Sequence, residues 1–115
     1  MVATPFTTES VCELDPLLEL WVHDRGDPVT VVIAGQLDGA TARHVRDVVA
    51  ELHVAGHAHV EVDLSRIGFA DGDGLAVLAA AMHGLDRAGR SMRLVRPSGP
   101  VQHVAERTGL DHAIR

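Results

Sequence analysis

The residues best able to do chemistry in this sequence are acidic, and they cluster in one short stretch, Asp71-Gly72-Asp73-Gly74, with a third carboxylate at Asp38. Two carboxylates two positions apart could serve as an acid and a base, but one of them would have to be buried enough to raise its pKa. Nothing around Asp71 and Asp73 suggests such burial. The same carboxylates can cap helices instead, since a side-chain oxygen at a helix start accepts backbone N–H bonds and faces the positive end of the dipole. Asp38 follows Leu37 at a strand-to-helix turn and reads as an N-cap; either Asp71 or Asp73 reads as another.

Other chemistries are poorly supported. His53, His57 and His59 lie close together, but they fall on a helix end, a turn and a strand start. No cysteine or carboxylate completes a recognised zinc spacing, so these histidines read as solvated and no metal is expected. Ser65 and Ser91 lack the context of a nucleophile elbow, and Gly72-x-Gly74 is too short for a dinucleotide fingerprint. Helix N-termini could bind a small anion or nucleotide. Asp71 and Asp73 would repel its phosphate. The reading is a binding protein without cofactor rather than an enzyme.

The chain has 115 residues and carries a formal net charge of -6, with all ten basic residues being arginine. That length buries one core, and the charge lacks the clustered positive face that nucleic acid requires. A single cysteine, Cys12, cannot form an internal disulfide. The start Met1-Val2-Ala3-Thr4-Pro5 has no signal-peptide pattern, so a reducing, cytoplasmic setting is expected. The longest apolar run, Leu75 to Met82, falls well short of the ~20 residues of a membrane span, so no direct insertion is expected.

Several elements must position the acidic residues. Residues 1–16 mix Thr, Ser, Glu and Pro without a period and read as a loose arm or a short edge strand, with the domain proper over 17–115. Leu17 to Val22 reads as a strand, and the turn formers from Asp24 to Pro28 close it as a hairpin at one edge of the sheet. Thr30 to Gly35 is apolar on both parities, as in a central strand covered on both faces. Val45, Val48, Val49 and Leu52 recur at helical spacing and predict an amphipathic helix over roughly Ala40 to Val54, stopped near Gly56. His59 to Leu64 alternates as a strand, followed by a short loop. Gly74 to Leu85 reads as a helix, apolar nearly all round and expected to be the most buried of the helices. Ser91 to Val95 is a further strand, Pro97 to Pro100 a loop, and Val101, Val104 and Ala105 mark a last short helix. Strands alternating with helices imply parallel crossovers, and the turns after successive strands then share one rim. Asp38 and Asp71 to Leu75 should lie on that rim together.

Four segments in this order resemble the STAS domain of bacterial anti-sigma-factor antagonists: Ala34-Gly35-Gln36-Leu37-Asp38, Val62-Asp63-Leu64-Ser65, Phe69-Ala70-Asp71-Gly72-Asp73-Gly74-Leu75 and Thr108-Gly109-Leu110-Asp111. The resemblance covers roughly Leu17 to Ile114. It implies an α/β fold of STAS type, with a mixed, mostly parallel sheet of four to five strands and helices packed on it. It also implies a cytoplasmic signalling protein in transcription regulation whose partner is an anti-sigma factor of serine-kinase type, with homodimerisation left open. Partner binding would involve Asp38, Thr41, Asp71, Gly72, Asp73, Gly74 and Leu75. In the family, two Ser/Thr residues stand where this chain has Gly72 and Asp73, and one of them is phosphorylated to release the partner. Neither Gly72 nor Asp73 can take that phosphate. Asp73 is then either a partial imitation of phosphoserine, with one charge against about 1.5 to 2, or only a cap. The alternative role is an accessory STAS subunit of an ABC-type lipid transporter.

Overall fold

A computed structural model describes residues 9–15, 17–23, 26–86 and 89–114. The element order is β1 (Glu9–Asp15), β2 (Leu18–His23), β3 (Val29–Leu37), α1 (Gly39–Val54), β4 (His59–Ala70), α2 (Gly72–Asp86), β5 (Ser91–Val95) and α3 (Gly99–Thr108), with a 3₁₀ turn over Asp111–Ala113. The strands form one five-stranded sheet in the order β1-β2-β3-β4-β5. The β1/β2 and β2/β3 ladders are antiparallel, and the β3/β4 and β4/β5 ladders are parallel. The hairpin strand β2 is therefore internal, and β1 takes the edge.

Strand alternation sends one row of side chains into the core. Leu18, Leu20 and Val22 of β2, Val29, Val31 and Ile33 of β3, Val60, Val62 and Leu64 of β4, and Met92 and Leu94 of β5 are all buried. Their register pairs, such as Leu20 with Ile33, Val31 with Val62 and Val62 with Leu94, place them on a common face. All three helices pack there. The opposite face is only partly covered: Thr30, Val32 and Ala34 are half-buried, which corrects the expectation of a strand enclosed on both sides. The apolar parity there reflects cross-strand packing, as where Trp21 pairs with Val32 and Arg66 stacks 5.7 Å from the Trp21 ring centroid.

Helix α1 forms where its periodicity predicts. It buries Ala42, Val45, Val48, Val49 and Leu52 along one face, and each fully buried Val or Leu contributes about 1.5–3 kcal/mol. Helix α2 is less buried than expected. Among its described side chains Leu75, Leu78 and Ala79 are buried, while Ala76, Ala80, His83 and Gly84 are exposed. The apolar part of its exposed side is small residues, Ala76, Ala80 and Gly84.

The stretch Ser65 to Ala70 was expected as a loop but continues β4. Two register irregularities against β3, at Val32/Ala34 and at Gly35/Gln36, absorb the broken alternation and keep Ile67 and Ala70 inside. At the far end, Gly109 caps α3 in the left-handed conformation, and Ile114 bridges to Leu94 beside β5.

His53 departs furthest from expectation, being buried at 4% exposure where solvation was predicted. Its Nε2 lies 3.2 Å from the Ser91 carbonyl. That oxygen can only accept, so Nε2 carries the hydrogen, and the buried Nδ1 has no hydrogen-bond partner among the described residues. Burial pushes the His53 pKa below its ordinary value, and the nearby charge of Arg90 works in the same direction against the Ser91 carbonyl. A depressed histidine pKa means the unfolded chain takes up a proton first as pH falls. Stability from this group is therefore full above about pH 6.5 and declines below it, by at most about 1.4 kcal/mol per pH unit. Urea unfolding at pH 7.5, 6.5 and 5.5 should show a steeper loss for wild type than for His53→Gln; parallel losses would remove His53 as the cause.

Candidate functional site

The turn from β3 into α1 is held by a reciprocal cap. The Asp38 Oδ1 accepts from the Thr41 amide at 2.9 Å, and the Thr41 hydroxyl oxygen accepts from the Asp38 amide at 2.9 Å. The same hydroxyl donates to the Gln36 carbonyl at 2.9 Å. Thr41 plays the part usually taken by Glu or Gln at the third helical position, and it is 1% exposed. The Thr41 amide, helped by the Thr41 hydroxyl, the Ala40 amide and the charge of Arg43, holds the Asp38 carboxyl below its ordinary range against the opposing effect of burial. Asp38 is ionised at neutral pH and has no proton to give.

The turn from β4 into α2 is capped by Asp71. Its Oδ1 accepts from the Gly74 amide at 2.8 Å, and its carbonyl accepts from the Leu75 amide at 3.3 Å. Asp73 is not the cap. It sits at the second helical position, exposed, where its charge meets the positive end of α2.

These two turns are locked to each other. The Asp71 amide donates to the Leu37 carbonyl at 3.1 Å. A Cβ on Gly74 would stand 2.7 Å from that carbonyl oxygen and 3.0 Å from the Asp38 Cα. Gly74 is therefore required by close backbone approach, and α2 starts hard against the end of β3. On the neighbouring side, a Cβ on Gly39 would lie 3.7 Å from the Asp73 Cβ. Asp38, Asp71 and Asp73 thus converge on one rim, at the ends of parallel strands.

The predicted residues divide by burial. Thr41, Gly74 and Leu75 lie inside and shape the rim from beneath. Asp38, Asp71 and Gly72 are partly exposed and Asp73 is exposed, so these four present the surface. Two further residues escaped the sequence reading. Phe69 is 50% exposed although apolar, and with Asp71, Gly72 and Arg107 it borders a depression of about 370 Å³ beside the α2 start. Alternation gave no signal for Phe69, because a residue two places after Ile67 should share its face; the register irregularity at Gly35/Gln36 leaves it exposed. Arg107 arrives from α3, whose neighbour Thr108 would touch a Cβ on Gly72 at 3.4 Å. Only the folded chain brings it there.

Elsewhere, Asp63 anchors the turn after β5. Burial would raise its carboxyl, but hydrogen bonds from Ser65 and Arg96 outweigh that and bring it below its ordinary range. Arg96 donates to Asp63 at 2.7 Å while its backbone holds φ 52, a left-handed conformation uncommon for arginine. Ser91 bonds His59 Nδ1 at 2.8 Å at the start of β5, on the sheet end away from the rim. No group of three or more His, Cys, Asp or Glu among the described residues could hold a metal ion. No helix among them is long and apolar enough to cross a membrane.

The family model described as "Mlab, STAS domain" matches residues 22–115. No curated protein matches significantly. An anti-sigma factor antagonist from Mycobacterium paratuberculosis has a similar structure, at 23% identity over 84% of this chain and 82% of that one, with a TM-score of 0.69. The anti-sigma factor antagonist SpoIIAA in its unphosphorylated form is similar at 20% identity over 93% and 85%, with a TM-score of 0.59. SpoIIAA from Bacillus in its phosphorylated form is similar at 19% identity over 93% and 88%, with a TM-score of 0.54. At such identities the structures establish a shared fold.

The geometry predicts opposite outcomes for two glycines of one helix. Gly84→Ala, with nothing within 4 Å of the new Cβ, should gain roughly 0.5–1 kcal/mol from helix propensity. Gly74→Ala should lose about 1–3 kcal/mol, because a backbone carbonyl occupies the space. Chemical denaturation followed by circular dichroism measures both, and a stabilising Gly74→Ala would contradict the locked turn.

Proposed function

The chain belongs to the STAS-domain family, and on that footing we propose that it is a regulatory protein-binding module of the anti-sigma-factor-antagonist kind. Its rim docks onto an anti-sigma factor of serine-kinase type, and the protein acts in the bacterial cytoplasm on transcription. The observation that carries this reading is the Asp71-Gly72-Asp73 segment, partly exposed at Asp71 and Gly72 and exposed at Asp73, presented by a rigidly seated helix start beside Asp38 and the half-exposed Phe69. A rigid rim with one exposed aromatic and few flexible side chains suits protein recognition, since little ordering entropy is lost on docking. Three carboxylates at two helix starts oppose phosphate ligands, which disfavours a nucleotide-binding role.

SpoIIAA exists in phosphorylated and unphosphorylated forms. Here the family's hydroxyl positions hold Gly72 and Asp73, so the chain binds without a phosphate switch at this loop. Asp73, exposed and free of any capping duty, is a fixed negative charge where a phosphate would stand. That same absence of a hydroxyl favours a second reading, an accessory subunit of an ABC-type lipid transporter, because a permanently docked subunit needs no release.

Affinity purification from the native host followed by mass spectrometry identifies the partner and separates the two readings. With that partner, Asp73→Ser should raise affinity several-fold in calorimetric titration and change stability by no more than about 0.5 kcal/mol, since Asp71 retains the cap. If the partner is a kinase, intact mass with ATP should show one added phosphate on the variant and none at this loop in wild type. Unchanged affinity with no added phosphate would leave Asp73 without a switch role.

A further inference from the structure

Ser91 opens the edge strand β5, and each of its polar groups is engaged. Its amide donates to the Ala58 carbonyl at 2.9 Å, its carbonyl accepts from His53 Nε2 at 3.2 Å, and its hydroxyl meets His59 Nδ1 at 2.8 Å. Alternation along β5 buries Met92 and Leu94 against the helices and turns Ser91 and Arg93 to the open side of the sheet. His59 therefore holds Ser91 from the open side, and His53 holds it from the helix side. One residue thus ties the end of α1 and the starts of β4 and β5 together, at the sheet end away from the rim.

The two histidines respond differently to a proton. Charged, the exposed His59 turns its Nδ1 into a donor, and the serine hydroxyl oxygen can accept from it, so that bond survives. His53 has no such exchange. Its Nε2 already donates to Ser91, and its enclosed Nδ1 has no hydrogen-bond partner among the described residues. A proton there would bury a charge and an unpaired N–H. The Ala58 carbonyl would favour that charge, but it already accepts the Ser91 amide, so turning to His53 competes with the pairing of β5. Arg90, just before β5, and His59 both oppose the charge. Asp27, Glu61 and Arg93 border the depression beside His59 and Ser91, with Arg93 paired to Glu61 at 3.4 Å; Glu61 and Arg93 point to the open side, away from the His53 ring.

Which contact yields depends on how each side is anchored. The end of α1 is held by the buried Val48, Val49 and Leu52 and closed by backbone bonds from Ala55 to Glu51, Gly56 to His53 and His57 to Leu52. Strand β5 has five residues at the sheet edge, and its bridge to Ile114 lies at Leu94, beyond Ser91. The start of β5 is the weaker side. We infer that His53 is an acid-sensitive latch, which on protonation releases Ser91 and frees the first residues of β5 from β4 while the rim keeps its arrangement. Acid lowers the stability of the whole domain through the same residue; the latch specifies where the fold opens first, by a local route that costs less than global unfolding.

Amide hydrogen exchange of the whole chain, followed by NMR at pH 7.5, 6.5 and 5.5 and expressed as protection factors, tests the inference without any partner. The expected result is a loss of protection at the Ser91 amide of about five- to ten-fold between pH 7.5 and 5.5, as one histidine titrating in the opened form gives. That protection should stay at least ~100-fold below the β2/β3 ladder, which opens only with the whole domain. His53→Gln keeps an N–H for the Ser91 carbonyl without a titrating ring and should abolish the pH-dependent loss. His59→Gln, at an exposed position, should retain it. Ser91 protection that does not change with pH, or that equals that of the β2/β3 ladder, would overturn the inference. So would a loss that persists in His53→Gln or disappears in His59→Gln.

Discussion

The Leu37 carbonyl is the point on which the candidate site depends. It accepts the Asp71 amide, and it fills the space where a side chain at Gly74 would go. Through it the end of β3 fixes the start of α2, and the reciprocal cap of Asp38 and Thr41 fixes the start of α1 one residue further on. Neither contact is strong by itself, since a net hydrogen bond contributes about 0.5–1.5 kcal/mol. Together they leave the rim one arrangement, because moving either helix would bury an unpaired backbone group or drive α2 into β3.

This constraint explains why small and acidic residues dominate the site. Gly74 allows α2 to begin at contact distance from β3, and Asp38 and Asp71 accept from helix amides that have no carbonyl partner within the helix. Once those duties are assigned, Asp73 is the one acidic rim residue that accepts no capping hydrogen bond among the described residues. Its charge is therefore available for recognition. Two kinds of residue that the family pattern runs together thus separate: Thr41, Gly74 and Leu75 are buried and build the rim, whereas Asp38, Asp71, Gly72 and Asp73 present it.

Much of this was legible in the sequence because the physics is local. The spacing of Val45, Val48, Val49 and Leu52 specifies α1, alternation specifies the first half of β4, and Ser91 to Val95 matches β5 residue for residue. The order of turn motifs placed Asp38 and Asp71 together. What escaped depends on tertiary contact. Ser65 to Ala70 looks like a loop until β3 supplies ladder partners with two irregularities. The helical position of His53 did not reveal that β5 would close over it with the Ser91 carbonyl. The apolar composition of α2 suggested deep burial, but alanine is equally at home on an exposed helix face, and the count of buried side chains favours α1. Arg107 lies 36 residues beyond Asp71 and joins the rim only through the packing of α3.

The central claim, that the locked turns form a protein-docking rim, is tested most directly by hydrogen–deuterium exchange of the chain alone and in complex with the partner recovered from its host. The account predicts added protection in the backbone amides of residues 38–41 and 69–76, with little change across β2 and the half-covered face of the sheet. Protection confined to that sheet face, with the rim amides exchanging as in the free chain, would contradict it.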